Sequence, residues 1–246
     1  MDAVFLSDLH LTSLQGRNGE TLLRFLSSLE ALPSPPERIF LLGDIFDLWV
    51  SKHRVFVERY RPLLDSLARL RERGSKILYF EGNHDMHLAP YWEKQLGAEV
   101  HVGPALFEVG GLRIRCEHGD EINHEDFWYL LMRSILRHPV LEMTAHFLPG
   151  RFWDGLGQRW SRKSRRRSTR PRPDRDENIR RMIRAHAEKV WEEDPFDAII
   201  SGHMHVRDDW SFERAGKTVR AINLGSWHRE APVLILDQGR FEWRSL

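Results

Sequence analysis

The sequence predicts an α/β fold built on a parallel sheet, and three observations carry that prediction. Short apolar runs alternate with amphipathic stretches through the first hundred residues, the β-α-β-α-β order that a parallel sheet with right-handed crossovers requires. Residue types that ligate metals follow directly on those runs, at Asp8, Asp44 and Asn83. Ligands of open α/β sheets bind beyond the carboxyl ends of the strands, where these three residues fall.

The elements follow in order. Val4 to Ser7 reads as a strand, and Leu22, Leu23, Phe25, Leu26 and Leu29 recur at the spacing of an amphipathic helix. Pro33, Pro35 and Pro36 end that helix, and Arg38 to Leu42 is the next strand. Phe56, Tyr60, Leu63, Leu64, Leu67 and Leu70 mark a second helix with Gly74 as its stop, before a strand from Lys76 to Phe80. From Val100 the texture changes. Ala105 to Val109 and Leu112 to Glu117 read as a hairpin across Gly110-Gly111. Residues 125–192 lack strand signals and carry paired helical patterns, then a helix from Glu177 to Glu193. Strands resume with Ala198 to Ser201, Asp209 to Glu213, Thr218 to Asn223, Val233 to Leu236 and Phe241 to Arg244. We expect one domain over residues 1–246, with residues 125–192 as a helical insertion.

Composition narrows the classes. A chain of 246 residues has ample material for a sizeable core, and no apolar run approaches the ~18 residues of a membrane span. The first residues run straight into a strand with no basic n-region, so no signal peptide is expected. Cys116 is the single cysteine, which excludes an intrachain disulfide and fits a reducing cytoplasm. The net charge of +1 hides a lopsided distribution. Arg159, Arg162, Lys163, Arg165, Arg166, Arg167, Arg170, Arg172 and Arg175 crowd one stretch, with Asp174 its only acid. Such a block repels itself, so it reads as a contact for phosphates or an anionic surface, or else as a solvated loop.

Five segments carry the chemistry: Asp8-Leu9-His10, Gly43-Asp44-Ile45-Phe46-Asp47, Gly82-Asn83-His84-Asp85, His118-Gly119-Asp120 and Gly202-His203-Met204-His205. In an extended segment residues i and i+2 point to the same side, so Asp8 with His10, and His203 with His205, are expected to aim at one point. The ligand set is oxygen and imidazole without thiolate, which suits hard-to-borderline divalent ions. It is too large for one ion and about right for two sharing a carboxylate, an arrangement that clamps a phosphoryl group for in-line attack.

The order of these blocks resembles the calcineurin-like metallophosphoesterase superfamily. That resemblance implies a four-layer α/β/β/α sandwich with a helical lid insertion, and two divalent metal ions, with Mn2+ expected. It assigns Asp8, His10 and His205 to one ion, Asn83, His118 and His203 to the other, and Asp44 to both. His84 would stabilise the phosphoryl oxygens or protonate the leaving oxygen, and Asp47 and Asp85 would orient imidazoles. Asp8-Leu9-His10-Leu11, His118-Gly119-Asp120 and Leu224-Gly225-Ser226-Trp227-His228 look like the UDP-2,3-diacylglucosamine diphosphatases of lipid A synthesis. That family cleaves a pyrophosphate to UMP and a lipid-bearing sugar phosphate beneath a lid that takes the acyl chains. By position Asn83, Asp126, Ser164 and Ser168 match its substrate contacts, with Arg170 in place of a lid lysine. Trp128, Leu131, Met132, Ile135, Leu136, Leu141, Phe147, Leu148, Phe152 and Trp153 would supply an apolar chamber or pack as helix-pair core. The chain departs from the best-known branch at His84, where that branch has arginine.

Three readings follow: a hydrolase of a lipid-linked nucleoside diphosphate sugar, held peripherally at the inner membrane of a bacterial cytoplasm; a phosphodiesterase or nuclease whose basic block meets nucleic acid; and a non-catalytic scaffold. The apolar residues flanking the basic block favour an amphipathic substrate and an anionic membrane surface, with no stable nucleic-acid partner. Ligand loss would mark the scaffold, and no ligand position is lost.

Overall fold

Strand β1 (Ala3–Leu6) shows how this chain makes layers: Ala3 and Phe5 bury on one side, Val4 and Leu6 on the other. The same division holds in β2 (Arg38–Leu41), where Ile39 and Leu41 oppose Phe40. It holds again in β4 (Lys76–Phe80), where Ile77 and Tyr79 oppose Leu78 and Phe80. Strands buried on both faces read as continuous apolar runs and imply a layer on each side. The computed structural model describes residues 1–123, 153, 155, 173–228 and 230–246.

The first sheet has the order β13-β12-β1-β2-β4-β6. Strands β1, β2, β4 and β6 (Glu99–His101) run parallel, while β12 (Pro232–Asp237) and β13 (Arg240–Ser245) extend it antiparallel. Its outer face is covered by α1 (Arg17–Glu30) and α3 (Arg61–Glu72), whose Leu22, Phe25, Leu26, Leu63, Leu67 and Leu70 join the first core cluster. The second sheet has the order β10-β11-β9-β8-β7. It comprises the hairpin β7 (Ala105–Val109) and β8 (Leu112–Cys116), then β9 (Ala198–Ser201), then the hairpin β10 (Asp208–Arg214) and β11 (Lys217–Asn223). Phe5, Phe40, Leu78 and Leu234 of the first sheet meet Ile114, Cys116, Ile200 and Ile222 of the second. At about 1.5–3 kcal/mol for each such side chain withdrawn from water, this inner layer is a main source of stability. The fourth layer is α5 (Pro173–Glu193), whose Ala187 and Val190 pack on Ile199, Val219 and Ala221. The α/β/β/α sandwich is thus observed.

The stretch from Phe56 to Leu70, expected as one helix, is two: α2 (Arg54–Arg59) and α3, parted at Tyr60. Pro62 lies in the first turn of α3, where its missing N–H costs least, and it cannot continue the ladder of α2. The short α4 (Ala89–Trp92) lies further on. Two elements have no sequence signal. Strands β3 (Trp49–Val50) and β5 (Asp85–Met86) pair in parallel, joining the loops after β2 and β4. Below them Phe46, Trp49, Tyr60 and Trp92 form one aromatic cluster with ring centroids 4.4–6.1 Å apart. The Tyr60 hydroxyl donates to the Leu11 carbonyl at 2.6 Å, fixing the loop after β1 upon it.

Within 125–192 the described part is α5 with residues 153 and 155, and Trp153 packs against the first core cluster. The other apolar residues of the expected chamber lie outside the described residues. Among the described residues no helix is long and apolar enough to cross a membrane.

Candidate active site

The loops that carry the candidate ligands leave the carboxyl ends of β1, β2, β4, β8 and β9, and the two sheets bring those ends together. Asp8 and His10 do converge, but not through strand alternation as the spacing predicts. Strand β1 ends at Leu6, and both residues adopt left-handed backbone, with φ of 54° and 48°. His203 and His205 repeat this at 64° and 57°, and Asp44 has φ of 53°. Five of the seven candidate ligands therefore occupy a conformation costly for residues with a Cβ. Such strain persists only where surrounding contacts over-determine it, and it gathers at functional sites.

Those contacts are visible. The amide of Asp8 donates to the Gly43 carbonyl at 3.2 Å and that of His10 to the Asp44 carbonyl at 3.0 Å. Oδ2 of Asp8 accepts the His203 amide at 2.8 Å and the Ser7 hydroxyl. Gly82 is required for space: an added Cβ would lie 2.7 Å from Oδ1 of Asp85 and collide with Asp44.

Two of the donor clusters that result hold the seven candidate ligands. In the first, one donor atom each from Asp8, His10, Asp44 and His205 lie within 4.8 Å of one another. Nε2 of His10 and Nε2 of His205 are 3.1 Å apart, and Oδ1 of Asp8 is 3.1 Å from His205. In the second, donor atoms of Asp44, His118 and His203 meet within the same span. Oδ1 of Asn83 joins them, 3.1 Å from Nδ1 of His203 and 3.3 Å from Nε2 of His118. Asp44 serves both clusters, with Oδ1 3.8 Å from His118 and Oδ2 4.0 Å from His10.

The donor set fits divalent cations. Nδ1 of His118 lies 2.8 Å from the Leu42 carbonyl, which can only accept, so it is the protonated nitrogen and Nε2 turns a lone pair toward Asn83 and His203. Nδ1 of His203 can carry a proton to either neighbour; once that proton leaves, three lone pairs face one point and repel one another unless a cation lies between them. Oδ1 of Asp8 is fully buried with the His205 ring nitrogen 3.1 Å away as its polar neighbour, the other sign that this pocket is built for a positive charge. Burial would raise the carboxyls of Asp8 and Asp44, but His205 beside the first and His118, His84 and His10 around the second hold both below the usual range. Burial pushes His10 down to about 3 and His203 down to about 4, leaving them neutral and able to ligate.

His84 stands at the edge of the first cluster, its ring centroid 4.9 Å from that of His10. Its Nδ1 donates to the backbone carbonyl of Asp47 at 2.8 Å, and a carboxylate oxygen of Asp47 lies within 4.8 Å of ring nitrogens of His10 and His84, so Asp47 faces the ring with main chain and side chain alike. Asp85 differs from expectation. It holds no imidazole. Its Oδ1 accepts the amides of Gly82 and Asp44, and its Oδ2 accepts the Ile45 amide and the Tyr79 hydroxyl, which fills both oxygens. Asp126, Ser164, Ser168 and Arg170 lie outside the described residues. Helix α5 is pinned beside the site: His186 pairs with Glu117 at 2.7 Å, next to His118, and Arg184 forks onto Asp208 at 2.9 Å. One residue absent from the predicted site, His228, places a ring nitrogen within 4.8 Å of those of His10 and His205. The only signal for it was its place at the end of the Leu-Gly-Ser-Trp-His run.

Comparison with known proteins agrees with this geometry. Residues 1–207 match the family model for calcineurin-like phosphoesterases. The chain is 27% identical over 241 residues to the UDP-2,3-diacylglucosamine hydrolase of Azotobacter vinelandii, covering 96% of this chain and 95% of that protein. It is 29% identical over 249 residues to the protein of the same name from Porphyromonas gingivalis, covering 95% and 93%. Among solved structures, a novel archaeal phosphodiesterase superposes with a TM-score of 0.50 at 16% identity, covering 100% of each chain, which shows a shared fold. A model spanning most of the chain, on a sandwich whose strand ends gather these donors, makes the conclusion plain: the chain belongs to the calcineurin-like phosphoesterase family and is a metal-dependent hydrolase.

Proposed function

We propose that the chain is a two-metal pyrophosphatase that cleaves UDP-2,3-diacylglucosamine, or a similar lipid-linked nucleotide, to UMP and a lipid-bearing sugar phosphate. One observation carries this reading: Asp44 is common to both donor clusters, so two ions would sit side by side on one carboxylate. The names of the relatives support the choice of substrate.

Asp8, His10 and His205 would hold one ion and Asn83, His118 and His203 the other, with Asp44 shared and Mn2+ the expected metal. Divalent ions there supply Lewis-acid polarisation of the phosphoryl group and a water acidic enough to attack at neutral pH. The remaining work belongs to the chain. Asp44 is held rigid by the amides of Asn83 and His84, each donating to its Oδ1 at 2.9 Å. Asn83 adds a contact to the substrate. His84, with Nδ1 committed to the Asp47 carbonyl, has Nε2 left to donate to a phosphoryl or leaving oxygen. The chain acts as one domain whose insertion, residues 125–192, selects the substrate through Asp126, Ser164, Ser168 and Arg170. Its basic block meets the diphosphate or the anionic inner face of the membrane, each surface contact adding about 1 kcal/mol.

The density of that block favours one second reading, a phosphodiesterase or nuclease. The test is metal-dependent release of UMP from UDP-2,3-diacylglucosamine, run beside a generic aryl phosphodiester and single-stranded DNA and RNA at several salt concentrations. UMP release at a kcat/KM well above that for the aryl ester supports the lipid reading. Cleavage confined to nucleic acid, and weakening steeply with salt, would overturn it.

A further inference from the structure

His228 stands against the first donor cluster without belonging to the expected ligand set. Its ring lies nearly parallel to that of His10, with centroids 5.7 Å apart and planes 5° apart. It meets His205 edge-on at 5.5 Å. A ring nitrogen of each of the three comes within 4.8 Å of the others. Unlike His10 and His205, His228 is exposed, so it stands on the side from which a substrate arrives.

Its loop is held as firmly as the ligand loops. Trp227 is 2% exposed; its amide donates to the Asp8 carbonyl at 3.2 Å and its indole N–H to the Pro232 carbonyl at 3.1 Å. Asn223 donates to the Gly202 carbonyl at 2.6 Å and accepts the Gly225 amide at 3.2 Å. Gly225 has φ of +74°, and a Cβ there would press on the backbone of Arg207 at 3.1 Å. The exposed imidazole is therefore carried on backbone tied to both Asp8 and the loop of His203. A side chain placed in advance loses little freedom when it binds, which is what a transition-state contact needs.

We propose that His228 is a further substrate-contacting catalytic residue, donating a ring N–H to a phosphoryl oxygen of the ester bound at the first cluster. The inference rests on the proposed function and deepens it. Either a metal ligand or a phosphoryl contact would put an imidazole this close, and the arrangement favours the contact. Asp8, His10, Asp44 and His205 already supply two carboxylates and two imidazoles to that point, all less exposed than His228.

The test uses the full chain loaded with Mn2+, as wild type, His228→Ala and His228→Gln. Three quantities are measured: bound metal per chain, the calorimetric Kd for inorganic phosphate, and kcat/KM for an aryl phosphodiester. Both variants should keep the wild-type metal content. His228→Ala should weaken phosphate binding and lower kcat/KM by about 10–100-fold, the range for one hydrogen bond to a charged group. His228→Gln keeps an N–H donor and should recover part of both losses. Loss of metal in either variant would make His228 a ligand and overturn the proposal, as would wild-type phosphate binding and turnover in His228→Ala. A wild-type chain that hydrolyses no phosphoester would sink the proposed function, while the phosphate-binding comparison would still decide the role of His228.

Discussion

The carboxylate of Asp85 holds the backbone of Asp44: Oδ1 of the former accepts the amide of the latter at 3.0 Å. The same carboxylate takes the amides of Gly82 and Ile45, both at 2.8 Å, and the Tyr79 hydroxyl at 2.6 Å. Burial, and then the nearby Asp44 charge, push its carboxyl up, while four donors favour the ionised form. Asp85→Ala would strand several buried donors at about 1–3 kcal/mol each. Denaturant unfolding should show a loss of about 3 kcal/mol or more, and the metal content of the folded fraction should fall. A variant with wild-type stability would show that these bonds do not set the left-handed turn at Asp44.

Asp44→Ala tests the shared carboxylate directly. Its fold should survive, since one buried oxygen set is removed without opening the aromatic cluster below. Metal analysis should find fewer than two ions per chain, and hydrolysis should be abolished. Two retained ions with near-normal turnover would sink the assignment of the whole site.

That the candidate ligands would gather was legible in the sequence because their segments follow apolar runs, and a strand end is where such a residue can face a cleft. The inner and outer faces of β1, β2 and β4 were legible for the same reason, as uninterrupted apolar stretches. The backbone that aims the ligands was not. Nothing in Asp8-Leu9-His10 announces positive φ, which local preference opposes and which only contacts with Gly43, Asp44 and His203 impose. The same holds for β3 and β5, whose two residues each pair across the loops after β2 and β4. The role of Asp85 depends on amides about 40 residues away, which spacing cannot reveal. His228 had a motif but no spacing relative to the other donors.

Acidification should displace the metal through a small number of protons. Burial would lower His118, but Asp44, Asp120 and Asp8 hold it above the ordinary imidazole value. Burial would likewise lower His205, but its hydrogen bond to Asp8 and that charge raise it. A raised pKa means that the proton competes for the lone pair at higher pH, so these two rings are protonated first as pH falls. His10, at about 3, and His203, at about 4, stay neutral through that range. Each cluster thus contains one raised and one depressed imidazole. Metal binding near pH 6 should release about one proton per ion, and affinity should fall as pH is lowered from about 7 to 5. Calorimetric titration in buffers of different ionisation heat counts those protons. Two per ion, or none, would contradict the pairing of His118 with His203 and of His205 with His10.

His84 separates chemistry from metal binding. Its amide supports Asp44 and its Nδ1 is fixed by the Asp47 carbonyl, so the ring's free nitrogen is Nε2. A carbonyl only accepts, which means Nε2 carries a proton only when the ring is charged, and a proton donated to a leaving oxygen comes from that form. His84→Ala should lower turnover by roughly 10²–10⁴-fold, the usual reach of a general acid. Bound metal should not change, because the adjacent Asn83 supplies the donor of that segment. His84→Arg is the more discriminating variant, since arginine stands here in the best-known branch of the diphosphatases. An arginine can hold phosphoryl oxygens but cannot release a proton near neutral pH. If His84 acts chiefly by holding those oxygens, the arginine variant should retain most activity on the pyrophosphate substrate. If it acts as the acid, the loss should be severe for aryl-free leaving groups and mild for a nitrophenolate, which departs without a proton. Equal losses for both leaving groups, together with lost metal, would instead place His84 among the ligands.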